Sequence, residues 1–147
     1  MRLPRALISA DKDGITAALL SAEISARGNR TPDLLYRDLE HDFGASAADR
    51  IDAPATPEQK RKLSILAPDQ LTSAELAGES IERVLNRAPG NDGALGGIKV
   101  VAKSGWFAAR PSGTENIYKI YAESFRGEEH LRTILSEAQA IVDTALD

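Results

Sequence analysis

Apolar residues recur at intervals of three and four in several stretches of the chain, and this spacing predicts amphipathic helices. One such stretch covers residues 15–27 and ends at Gly28, a favourable C-cap, and another covers residues 32–43 after a Thr-Pro start. The longest apolar stripe begins after Glu128 and predicts a helix to the end of the chain. Its members are Leu131, Ile134, Leu135, Ala138, Ile141, Val142 and Ala145.

The middle of the chain alternates between short β segments and turn-forming residues. Residues 46–55 have a weak strand pattern, and a capping-box sequence then predicts a short helix over residues 56–66. Residues 79–87 alternate like a strand, although the same spacing also fits a helix. We expect a strand there and a glycine-rich loop over residues 89–97.

The last third contains a predicted β-hairpin. Residues 98–103 and 106–110 are rich in β-forming residues and are joined by Ser104-Gly105, which favours a two-residue turn. A longer β segment covers residues 117–125. Together with the helices, these segments predict an α+β fold in which an antiparallel four-stranded sheet has helices packed on one face.

Composition and charge exclude several classes of protein. The chain has 147 residues, a net charge of −4 and no cysteine, so disulfide scaffolds and thiolate metal sites are excluded. The acidic balance argues against nucleic acid or a membrane surface as a partner, and no apolar run approaches the ~20 residues that cross a bilayer. We expect a cytoplasmic protein. The two histidines, His41 and His130, are expected to be exposed and share no metal-ligand spacing.

The segment Arg-Pro-Ser-Gly-Thr-Glu-Asn, which starts at Arg110, lies between two predicted strands and carries the strongest chemical signal. Arg110 supplies a guanidinium that can bind two phosphate oxygens at once. Ser112 and Thr114 supply hydroxyl groups, and Gly113 allows the backbone to point its N–H groups into a concave anion site.

The local charge supports an anionic ligand. Residues 98–119 carry a net charge of +3, so the rest of the chain carries −7. Lys119 interrupts an apolar β segment just after the loop, from where its ammonium group can reach the same anion. The alternative is an ordinary solvated hairpin tip with a Ser-Gly-Thr turn, and the residues themselves leave both interpretations open.

Several stretches resemble a known family, the α-D-phosphohexomutases. The loop after Arg110 and the segment Ile117–Phe125 are similar to the phosphate-binding loop of that family's last domain, most closely in its glucose-specific bacterial branch. Three more stretches are similar to the same branch: Arg50–Thr56, Ala88–Gly97 and Gly105–Ala109. The resemblance extends from Asp11 to the end of the chain, and it implies a fold like that of the TATA-binding protein.

The resemblance implies roles for particular residues and a division into domains. The group that grips the phosphate that does not react would consist of Arg110, Ser112, Gly113, Thr114 and Lys119. Lys12 matches a lysine of the active-site cleft and would assist proton transfer or bind phosphate. Its alternative is a solvated lysine before a helix that Asp13 caps. Residues 1–28 would be the tail end of the preceding, third domain, and residues 29–147 the C-terminal phosphate-binding domain.

The family's other catalytic parts have no counterpart in this sequence. The phosphoserine loop, the aspartate-rich magnesium loop and the sugar-reading loop are missing. The resemblance therefore implies a C-terminal piece, inactive alone, of an enzyme that interconverts glucose 1-phosphate and glucose 6-phosphate. Magnesium, glucose 1,6-bisphosphate and the missing N-terminal domains would be its cofactors and partners. Two alternatives stay open: a non-catalytic phosphate-binding or protein-interaction module, and an enzyme for another sugar such as mannose or glucosamine phosphate.

Overall fold

The computed structural model describes residues 13–147, which divide into two compact units, residues 13–44 and Ala45–Asp147. The first unit consists of helices α1 (Gly14–Gly28) and α2 (Pro32–Phe43). Asp13 caps α1, because its carboxylate accepts hydrogen bonds from the N–H groups of Ile15 and Thr16. Neither helix has a buried residue. Their exposed large apolar side chains are Ile15, Leu19, Leu20, Ile24, Leu34, Tyr36, Leu39 and Phe43.

The second unit is built on a six-stranded sheet in which every neighbouring pair is antiparallel. In chain order its strands are β1 (Ala47–Pro54), β2 (Glu75–Leu76), β3 (Glu79–Arg87), β4 (Ala94–Ala102), β5 (Gly105–Pro111) and β6 (Ile117–Ser124). Their spatial order is β1-β6-β5-β4-β3-β2. The last strand in sequence therefore lies between β1 and β5, which places the loop before β6 beside the end of β1.

Two helices, α3 (Pro57–Ser64) and α4 (Glu128–Leu146), pack on one face of this sheet. Alternate residues of the central strands are buried beneath them, including Val100, Phe107 and Ile120, while α4 contributes Ile134 and Val142. The opposite face of β1, β6 and β5 carries polar, charged and aromatic side chains. Because strand residues alternate between faces, this pattern gives one apolar face and one open face.

The structure confirms the α+β class and corrects the number of strands. Six strands form the sheet, where a four-stranded sheet was predicted. The weak strand pattern of residues 46–55 forms β1, which is the edge strand beside β6, and the two-residue β2 is too short to show any periodicity in sequence. The helices predicted over residues 15–27, 32–43 and from Glu128 are confirmed, and so is the capping box of α3. The implied likeness to the TATA-binding protein and the domain boundary after residue 28 stay predictions.

The hairpin between β4 and β5 has its turn one residue earlier than predicted. Lys103 and Ser104 form the turn, and Gly105 already belongs to β5, paired with Ala102. A Cβ atom on Gly105 would lie 2.5 Å from Cδ1 of Ile134 and 2.7 Å from the carbonyl oxygen of Glu123. Glycine is needed there because α4 packs closely on the strand.

The glycine-rich loop predicted over residues 89–97 is also shorter than expected, because β4 begins at Ala94. Gly96 has a φ of +64°, and the pairing of β3 with β4 is irregular at this point. A Cβ on Gly97 would lie 2.1 Å from the carbonyl oxygen of Ala109. These glycines therefore form an irregular strand end that approaches β5 closely.

His130 was expected to be exposed, and this expectation is wrong. Its Nδ1 lies 2.8 Å from Oγ of Ser124, which is fully buried, and its Nε2 is buried without a hydrogen-bond partner among residues 13–147. The first turn of α4 brings this ring over the end of β6. His41, by contrast, is exposed as expected.

Candidate anion-binding site

The loop of residues 112–116 connects β5 to β6 and is held at both ends by backbone hydrogen bonds. The N–H of Ser112 donates to the carbonyl oxygen of Ile117 at 2.9 Å. The carbonyl oxygen of Asn116 accepts from the N–H of Ala55, just after β1, also at 2.9 Å. The loop is therefore fixed to its own hairpin and to the neighbouring edge strand, while residues 113–116 are exposed.

Several donors on this loop face no acceptor. In the part of the chain that the structure describes, no acceptor is bonded to the N–H groups of Gly113, Thr114 or Asn116. The N–H of Glu115 donates to Oγ of Ser112 at 3.3 Å, which tightens the turn. Gly113 does not have a positive φ, and a Cβ on it would meet no atom within 4 Å. Its backbone is therefore not in the left-handed region, and open space lies above it.

Lys119 and Ser112 meet at the carboxylate of Glu115. The Nζ of Lys119 lies 3.4 Å from Oε2 of Glu115, and the Oγ of Ser112 lies 3.4 Å from the same oxygen. Lys119 also lies 3.8 Å from Oδ2 of Asp52 on β1. The exposed Glu115 carboxylate thus occupies the position between two of the predicted ligands.

Arg110 is directed along the open face of the sheet. Its Nη2 donates to the hydroxyl of Tyr121 at 3.3 Å, and its guanidinium carbon lies 5.4 Å from the centre of that ring. This hydrogen bond lowers the pKa of Tyr121 because the guanidinium stabilises the phenolate. Arg110 makes no hydrogen bond to Ser112 or Thr114 among the described residues. It is nevertheless paired with Lys119 across β5 and β6, so the two cations are neighbours.

Two cationic residues that the sequence reasoning did not select also lie at this site. The Nζ of Lys60, on α3, donates to the carbonyl oxygen of Glu115 at 2.5 Å and so ties α3 to the loop. Arg50, on β1, pairs in register with Tyr121 and forms an ion pair with Asp52, with Nε 3.0 Å from Oδ1. The sequence predicts the capping box that starts α3. It does not predict the contact between Lys60 and the loop, because the two segments are tens of residues apart in the chain.

The remaining predictions concern Lys12, metal binding and the membrane. Lys12 lies outside the described residues, so its role stays a prediction. Across residues 13–147, no group of three or more histidine and carboxylate side chains is placed to hold a metal ion. None of the helices in that range is both long enough and apolar enough to span a bilayer.

The loop, Arg110 and Lys119 all fall within a stretch that matches a known family. Residues 68–140 match the phosphoglucomutase/phosphomannomutase C-terminal domain. This part of the chain is therefore a C-terminal domain of that family, and the resemblance drawn from the loop sequence is confirmed.

A curated relative extends the match beyond this domain. Over 131 residues, which are 89% of this chain, the sequence is 59% identical to the phosphoglucomutase of Komagataeibacter xylinus. The chain spans 24% of that relative's length. The aligned length is too great to fit within Ala45–Asp147 alone, so part of the first unit shares the similarity.

Proposed function

We propose that Ala45–Asp147 grips the phosphate group of a phosphosugar for an enzyme that interconverts glucose 1-phosphate and glucose 6-phosphate. The observation that carries the proposal is the loop before β6. It presents unbonded N–H groups at Gly113 and Thr114 and is flanked by Arg110 and Lys119. Backbone donors next to fixed cations bind dianionic phosphate esters well.

The chemistry of the site supports binding and not turnover. Arg110 and Lys119 can neutralise a phosphate that stays intact, and this binding energy would hold the reacting end of the sugar in position elsewhere. Among the described residues no metal-binding cluster accompanies the loop. The phosphoryl transfer, with its magnesium and glucose 1,6-bisphosphate, is accordingly assigned to other domains of the same enzyme, and the chain alone is proposed to be inactive.

Glucose is the proposed sugar because the relative at 59% identity is named a phosphoglucomutase. The family description also names phosphomannomutase, so a mannose phosphate is the second candidate. The proposed ligands in and beside the loop would contact only the phosphate, so they do not distinguish the sugars. A cytoplasmic location, with neither nucleic acid nor membrane as a partner, completes the proposal.

Calorimetric titration of the chain with glucose 6-phosphate tests the proposal. We expect a dissociation constant on the order of 1 mM and its loss in Arg110→Ala. Arg83→Ala is the matched control, since Arg83 is an exposed arginine on β3, three strands away from β6. Absence of binding by the unaltered chain, or equal binding by the two variants, would overturn the proposal.

The same substitution tests the role in the enzyme. In a longer phosphoglucomutase that carries this sequence as its C-terminal part, Arg110→Ala is expected to raise KM about tenfold, because one bidentate contact to phosphate is lost. Unchanged kinetics would contradict the assignment.

A further inference from the structure

A second arginine converges on the group that Arg110 contacts. β6 lies between β1 and β5, and on the open face Tyr121 of β6 is paired in register with Arg50 of β1. Arg110 reaches the Tyr121 hydroxyl from β5, on the other side. Both guanidinium groups stabilise the phenolate and contribute to the lowered pKa of Tyr121. Two cations from different strands therefore flank one tyrosine side chain.

Asp52 explains why Arg50 lies in this position. It is two residues further along β1, hence on the same face, and its Oδ1 binds Nε of Arg50 at 3.0 Å. Its other carboxylate oxygen lies 3.8 Å from Nζ of Lys119. One carboxylate thus orients two cations, and because it uses Nε of Arg50, terminal N–H groups of the guanidinium remain for another acceptor.

There is room for such an acceptor. A shallow depression of about 560 Å³ lies on the open face beside the Arg50–Tyr121 pair. Arg50, Tyr121 and Trp106 line it together with Asp49 and Glu123, whereas Arg110 lies outside its lining, on the other side of Tyr121. Half of the Arg50 side chain is exposed. A phenol oxygen accepts few hydrogen bonds, whereas a phosphate dianion accepts several and pairs with a guanidinium through two of them at once.

We infer that Arg50 is a second arginine ligand of the anion site, so that a phosphate monoester is held between Arg50 and Arg110 above Tyr121. This inference rests on the proposed function and adds a strand, β1, to a site otherwise formed by β5, β6 and the loop between them. The ligand class is a dianionic phosphate, either the ester of a sugar or inorganic phosphate. Asp52 is a positioning residue, since it acts through Arg50 and Lys119.

Titrations of the 147-residue chain with inorganic phosphate and with glucose 6-phosphate test the inference. We expect Arg50→Ala to weaken both affinities about tenfold, because a charge-assisted contact is lost. Arg50→Lys should recover only part of this loss, since lysine keeps the charge and loses the planar fork. Arg83→Ala, which removes an equal charge from the same sheet three strands away from β6, should change affinity less than about twofold.

The outcomes separate this inference from the proposed function. If Arg110→Ala abolishes binding while Arg50→Ala binds like Arg83→Ala, Arg50 is not a ligand and the proposed function stands. If the unaltered chain binds neither phosphate compound, both fail. If Arg50→Ala does not fold, Arg50→Lys is the test, provided that its Tm is unchanged. A phosphate affinity of Arg50→Lys equal to that of the unaltered chain would then overturn the inference.

Tyr121 gives a readout that needs no ligand. In Arg50→Ala, ultraviolet titration should show a higher pKa for Tyr121 than in Arg83→Ala, because one cation that stabilises the phenolate is gone. Identical titration of the two variants would show that Arg50 does not lie against Tyr121, and the inference would fall.

Discussion

Two glycines illustrate, at the scale of single residues, how packing and binding make different demands. Gly105 lies beneath α4, where a Cβ would meet Ile134 and the backbone of Glu123 at less than 3 Å. Gly113 lies in the loop before β6, where a Cβ would meet nothing within 4 Å and where φ is not positive. The first glycine is explained by the fold, and the second has no explanation within the fold.

Alanine at Gly105 should therefore lower the stability of the fold, whereas alanine at Gly113 should weaken phosphate binding. Gly105→Ala is expected to lower the free energy of unfolding by about 2 kcal/mol, because the added methyl overpacks the contact with α4. Gly113→Ala should change it by less than about 0.5 kcal/mol and should still weaken phosphate binding several-fold, because the methyl group occupies the space above the loop.

Urea unfolding and calorimetry of the two variants measure both quantities. A large loss of stability in Gly113→Ala would show that the loop is strained in a way the contacts do not reveal. Normal phosphate binding in a stable Gly113→Ala would show that the anion does not approach over this residue.

At the scale of elements, Glu79 at the start of β3 connects the β4–β5 turn to the end of β6. Its Oε2 accepts from the N–H of Ser104 at 2.7 Å, and its Oε1 lies 3.4 Å from Nη1 of Arg126. The hydrogen bond from Ser104 is the main cause of the lowered pKa of Glu79. Glu79 therefore stabilises the fold in its ionised form.

The sign of the pH dependence follows from this shift. A carboxylate with a folded-state pKa below its usual 4.5 contributes stability that is complete above that value and is lost as the pH falls through the folded-state pKa. Urea unfolding between pH 3 and pH 6 should show this loss in the unaltered chain and a smaller one in Glu79→Gln. Glu82→Gln, an exposed glutamate of the same strand, is the control. A Glu79→Gln curve parallel to that of the unaltered chain would contradict the assignment.

Elements defined by local periodicity could be predicted from the sequence, and elements defined by distant contacts could not. The apolar stripe of α4 and the capping box of α3 were sufficient to predict these two helices, because the contacts that form a helix join residues close together in the chain. The displaced turn at Lys103 depends on Gly105 packing against Ile134, which no local pattern records. In the site, the proximity of Lys119 to the loop follows from chain order, whereas Lys60 and Arg50 reach it only through the tertiary fold.

At the scale of the whole molecule, the hydrophobic core that residues 13–147 form belongs entirely to Ala45–Asp147. Every core residue recorded in the described part of the chain falls between Ala47 and Leu146. α1 and α2 instead expose their large apolar side chains. This division indicates that the second unit carries its own stability.

A chain shortened to Ala45–Asp147 should therefore fold cooperatively with nearly the same Tm and the same affinity for phosphate. Removal of the exposed apolar helices should also reduce self-association, since such surfaces promote it. Differential scanning calorimetry and sedimentation velocity check both expectations. A Tm lower by more than about 5 °C would show that the first 44 residues stabilise the second unit. In a domain of this size, a loss of about 1 kcal/mol in the free energy of unfolding lowers Tm by about that amount.

The most direct test of the central claim, that the loop before β6 binds a sugar phosphate, is nuclear magnetic resonance of the ¹⁵N-labelled chain titrated with glucose 6-phosphate. The largest amide shifts are expected at Gly113, Thr114 and Asn116, whose N–H groups lack an acceptor, with smaller ones at Lys119 and Tyr121. Inorganic phosphate should move the same amides and glucose should move none. Shifts confined to other parts of the chain, or equal shifts with glucose, would contradict the account.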